Sequence, residues 1–163
     1  MTTIAGLPAH VLLLHAVVVL VPLTAILLIL CAVWPAARRR LVWLVAALAA
    51  ITLLVTPATV RAGEWLADTG KIDGSPQLDT HMTAGEYGVY MALALAVAAA
   101  LLAGLHIASA RERGLAAVAR LGIVAVVIAL SGGAMFAIHT IGESGAKAAW
   151  GSLLAPSESP QSP

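Results

Sequence analysis

The sequence predicts an all-α integral membrane protein: a bundle of four transmembrane helices with both termini on the outer side. Three observations carry that prediction. The composition is too apolar for a water-coated globule, four uninterrupted apolar blocks have spanning length, and the basic residues gather in one set of joins. Of 163 residues, 61% are hydrophobic and only 10% charged, with a mean hydropathy of +0.97. That leaves too little polar surface for a soluble fold. The blocks cover residues 11–34, 41–60, 87–110 and 115–138, each near the ~20 residues that cross a hydrocarbon core. They are rich in Leu and Ala without strict alternation. Because lipid satisfies no backbone polar group, such segments form helices and not barrel strands.

Local punctuation sets the limits of each element. The first helix starts near Pro8 and stops at Trp34 and Pro35, with Pro22 kinking it midway. Thr56 and Pro57 are expected to bend the second helix near its end, so that residues 61–68 lie along the interface. Ser75 followed by Pro76 is the order of a capping residue and a proline at the first helical position. The third helix therefore begins outside the lipid, with His81 already helical. In the fourth, Gly132 and Gly133 offer a flat spot for a close neighbour. The domain division is a transmembrane unit over residues 1–150 and a disordered Pro/Ser tail over 151–163.

Orientation follows from charge. Arg38, Arg39 and Arg40 follow the first block, while Arg111, Arg113 and Arg120 surround the start of the fourth. These joins are expected to face the cytoplasm. The long join carries Glu64, Asp68, Asp73, Asp79 and Glu86 against Arg61 and Lys71, which places it outside. Trp34 and Trp43 flank the inner boundary, and Trp65 and Trp150 the outer one. No Lys or Arg precedes the first block, which is also too long for a signal-peptide core, so it reads as a retained span.

Several functions are disfavoured. A net charge of +1 with no basic run beyond three arginines gives no footprint for nucleic acid. The single Cys31 has no partner for a disulfide or thiol motif and reads as a packing residue. No dinucleotide loop, phosphate loop or nucleophile elbow is present, so the chain does not read as an enzyme by itself.

The chemistry rests on histidines. His10, His15, His81 and His139 fall within about 6 Å of the outer boundary, at 1.5 Å per helical residue. His106 lies alone at the inner end. A step of five residues turns a helix by about 140°, so His10 and His15 cannot face one ion together. His15 sits a turn inside the hydrocarbon, where an ionisable side chain is expected to face the bundle interior, and His10 is expected to be exposed. The natural opposite of His15 is His81, or else His139. Two imidazoles from different helices suit axial ligation of a haem b. His15, His81 and Glu64 suit a zinc or copper ion by residue type. The plain alternative is interfacial histidines bonded to water, headgroups or backbone carbonyls.

Four segments carry a family resemblance: GLPAHVLLLHAVVVLVPL from Gly6 to Leu23, RAGEWLADTG from Arg61 to Gly70, the element His81 to Gly85, and GESGAKAAW from Gly142 to Trp150. Together they resemble the bacterial four-helix membrane family catalogued as domain of unknown function twenty-two thirty-one, over nearly the whole chain. In that family two histidines five apart open the first helix and a third begins the third helix; His10, His15 and His81 match those positions, and His139 matches none. Val11 and Val17 stand where the family often has proline. The resemblance implies a multi-pass protein of the bacterial plasma (inner) membrane, and some members are joined to Rieske-type domains, which implies electron transfer near the outer face. The expectation is thus a membrane redox partner that holds haem b, or a metal ion, through His15 and His81, and that meets a redox protein at the outer face. The alternative is a cofactor-free scaffold or accessory subunit.

Overall fold

A computed structural model of the chain describes residues 3–4, 7–69, 74–111 and 116–154. After a two-residue antiparallel pairing of β1 (Thr3–Ile4) with β2 (Leu7–Pro8), the structure is helical: α1 (Ala9–Val33), α2 (Pro35–Asp68), α3 (Pro76–Glu86), α4 (Gly88–Ala110) and α5 (Ala117–Leu154). Four units are long and apolar enough to cross a membrane: α1, α2, the α3–α4 pair and α5. They close into a ring in the order α1, α2, α4, α5, with α3 lying against α5 at one end.

The helices begin and end for local reasons. Trp34 alone separates α1 from α2. Its extended backbone caps α2, and Pro35 takes the first helical position, where a missing N–H costs nothing. Ser75 caps α3 as the sequence indicates, its Oγ accepting from the Leu78 amide at 3.2 Å. The arginine triplet lies in the first turns of α2 and not in a join.

Two elements outrun the sequence expectation. α2 passes through Pro57 as one helix to Asp68, about 51 Å at 1.5 Å per residue, so residues 61–68 continue the helix. α5 continues past Ile138 to Leu154, four residues into the stretch read as tail. The remainder of that stretch, 155–163, lies outside the described residues. Both helices are longer than the ~30 Å thickness of a hydrocarbon layer.

The inward faces pack in heptad-like steps. Val21, Ala25 and Leu28 of α1 meet Val45 and Ala49 of α2, Leu95 and Leu102 of α4, and Val127 of α5. Large apolar side chains also cover the outside, including Leu54, Phe136 and Val118. A helix apolar on all sides belongs in lipid. All four tryptophans are exposed, as expected of indoles at the interface. Gly132 and Gly133 are exposed too, and a Cβ on either would meet nothing within 4 Å. The flat spot thus faces outward, and close packing is served elsewhere.

Thr24 and Ser131 are fully buried with hydroxyls that have no partner among the described residues. An unmade buried hydrogen bond costs about 1–3 kcal/mol. Thr24→Val, which keeps the shape and removes the hydroxyl, is expected to raise stability by about 1 kcal/mol. A lower detergent melting midpoint for Thr24→Val would show that the hydroxyl has a partner after all.

Candidate functional site

The two ends of the bundle differ in chemistry, and the histidine end holds a cavity of about 180 Å³. It is bounded by the start of α1, the last turns of α2, α3, the start of α4 and the second half of α5. Its walls are apolar, from Leu14, Val17, Val60, Met82, Met91 and Ile138. The polar groups on its lining are His10, His81, Glu64, Glu86 and two threonines.

His10 and His81, not His15 and His81, share this cavity. His15 is exposed, turned back on its own helix with Nδ1 bonded to the Val11 carbonyl at 2.6 Å. The reason is rotational phase. His10, Val17, Thr24 and Cys31 are seven apart, and the last three are buried in the bundle, so the inward stripe of α1 runs through His10. Five residues on, His15 points away. His10 is accordingly half-buried, contrary to the sequence expectation. His139 is exposed and off the cavity lining. His106, at the other end, meets Trp43 edge-to-face with ring centroids 6.3 Å apart.

Each cavity histidine is fixed in the same way. His10 Nδ1 donates to the Thr59 carbonyl across the α1–α2 contact at 3.0 Å. Ser144 spends its hydroxyl proton on the Ile141 carbonyl at 2.9 Å, so His81 Nδ1 donates to Ser144 Oγ, at 3.1 Å. A carbonyl can only accept, and a committed hydroxyl likewise, so the neutral rings carry the proton on Nδ1 and leave the Nε2 lone pair free.

Each ring also rests on a glycine. A Cβ on Gly63 would stand 2.9 Å from His10 Cε1 and Nδ1; one on Gly145 would stand 2.9 Å from His81 Cε1 and 3.2 Å from its Nδ1. Among the described glycines, these two make the close approaches. Gly63 ends a stripe through Thr52, Thr56 and Thr59, all buried, each donating to the carbonyl four residues back. That 4-3-4 spacing of Thr and Gly was the sequence signal for the inward face of α2, obscured by the surrounding apolar residues.

Donor chemistry and room give different answers for a bound group. An imidazole with Nδ1 pinned and Nε2 free is the usual arrangement of a ligating histidine. The room is another matter, since a cavity of ~150 Å³ takes benzene, so this one admits a single six-membered ring. A porphyrin plate joins four pyrroles, and a haem between His10 and His81 would need the helices to part. For a metal ion, Glu64 and His81 share the lining but His15 does not. Among the described residues no three of His, Cys, Asp and Glu come together as a ligand set. Comparison with protein-family models, with curated proteins and with solved structures returned no match.

Proposed function

We propose that this chain is a redox partner of the bacterial inner membrane that binds a lipid-soluble quinol, one ring with two hydroxyls, in the mouth between His10 and His81. The observation that carries this reading is a ring-sized apolar cavity flanked by two imidazoles whose free Nε2 lone pairs accept hydrogen bonds. A quinol hydroxyl donates to such a nitrogen, and the apolar wall takes the ring face and the root of its tail. Glu64 and Glu86, exposed carboxylates, lie on the same lining. With the arginine-rich end in the cytoplasm, as the positive-inside bias favours, the mouth opens at the outer face.

A short-tailed benzoquinol titrated into detergent-purified full chain, followed by tryptophan quenching, tests the reading. Saturable one-to-one binding is expected, weakened by at least about tenfold in His10→Ala and in His81→Ala, one good hydrogen bond being worth about that factor. His15→Ala is expected to bind as the unaltered chain does. Equal weakening by His15→Ala, or no saturable binding, defeats it. A haem-type Soret band that disappears in His15→Ala would favour the haem reading instead.

A second reading has its own observation. Each ring hydrogen-bonds across a helix pair, α1 to α2 and α3 to α5, so both act as staples of a cofactor-free scaffold. Under that reading His10→Ala and His81→Ala lower the melting midpoint while no ring ligand binds to any variant.

A further inference from the structure

The arginine end holds a second cavity, of about 240 Å³, lined by Arg38, Arg39 and Arg120 with His106 and Ser109. Arg38 is the unusual member. It lies on the first turns of α2 with 4% of its surface exposed; among the described residues no hydrogen-bond or ion-pair partner is found, and its nitrogens are not among the fully enclosed unpaired atoms, so the guanidinium is set at the cavity edge. A guanidinium largely withdrawn from water, with its nitrogens open to a cavity, favours a counter-charge there. Arg39 and Arg120 lie near enough to repel it, and no carboxylate lines the cavity among the described residues. Ser109 gives its hydroxyl proton to the Leu105 carbonyl at 2.8 Å, so the donors left for a ligand are the three guanidiniums and the His106 ring.

We propose that this cavity binds a phosphate group, with Arg38 as its buried anchor and Arg39 and Arg120 closing over it. Guanidinium forks match phosphate oxygens and form the stronger, charge-assisted class of hydrogen bond. The cavity is larger than the ~150 Å³ that takes benzene, which leaves room for a phosphate and the first carbons of its ester. Exposed Trp34 and Trp43 mark the level of the interface here. Basic pockets between transmembrane helices at that level take anionic lipid headgroups, and the same donors would accept free phosphate.

Native mass spectrometry of the full chain, released from nanodiscs of phosphatidylglycerol or of phosphatidylcholine, reads the site directly, with inorganic phosphate added to delipidated protein in a third arm. Retained phosphatidylglycerol is expected to exceed phosphatidylcholine by about tenfold, and to fall to parity in Arg38→Gln and in Arg120→Gln. Arg120 is exposed, so its variant carries the test if Arg38→Gln does not fold. Phosphate adducts that depend on the same two arginines, without lipid preference, support the site with free phosphate as its source. Glu112, in the neighbouring join, lies outside the described residues; Glu112→Gln is expected to bind phosphatidylglycerol as the unaltered chain does. Binding seen only in Glu112→Gln would mean that the chain neutralises its own arginine. That result, or unchanged retention in both arginine variants, overturns the proposal.

Discussion

Gly145→Ala is expected to leave the bundle folded and to weaken ring binding by at least about tenfold. The new methyl would stand 2.9 Å from His81 Cε1, closer than packed side chains come, so the imidazole must shift. Shifting it breaks the 3.1 Å bond that sets its tautomer and aim. The backbone has no reason to suffer, because Ala is a better helix residue than Gly by about 1 kcal/mol. Gly63→Ala is the same experiment on His10, and Gly142→Ala, whose methyl meets nothing within 4 Å, is the control. Far-ultraviolet dichroism checks the fold and tryptophan quenching the ligand. Undiminished quinol binding in both close-approach variants would mean that the rings do not act from their observed positions.

The second large effect concerns the core. Leu95→Ala is expected to destabilise the bundle by about 2–3 kcal/mol, the lower part of the range for buried leucines. The loss is mainly packing, since lipid is as apolar as the protein interior and the transfer contribution shrinks. Leu54→Ala, at a position 75% exposed on the lipid side, should change little. Steric-trap or thermal unfolding of the two variants, in the same detergent, separates inside from outside. Similar losses in both would reject the helix arrangement that turns Leu95 of α4 into the core and Leu54 of α2 outward.

These particulars show which parts of the molecule were legible beforehand. Four helices of spanning length and apolarity and the Ser75 cap follow from composition and local chemistry, and the structure has them; the four tryptophans are exposed. Helix rotation was not legible on α1, where Leu and Val cover every side and apolar periodicity vanishes. The sparse polar residues held the answer, since His10 lies seven and fourteen positions before the buried Val17 and Thr24. Likewise Gly132 and Gly133 attracted attention as a pair, whereas the glycines that matter are single residues facing a ring contributed by another helix. Only tertiary placement tells such glycines apart. The lengths of α2 and α5 were underestimated for a different reason: hydropathy marks where a helix leaves lipid, not where it ends.

The single-residue join at Trp34 bears on how the site comes into being. α1 and α2 form one tight helical hairpin, and that hairpin contains His10 seated on Gly63. The later helices bring His81 with its own seat, Gly145. Each half of the mouth is therefore built within one contiguous stretch of chain, His10 and Gly63 within α1–α2 and His81 and Gly145 within α3–α5, and the cavity is the space between the two stretches.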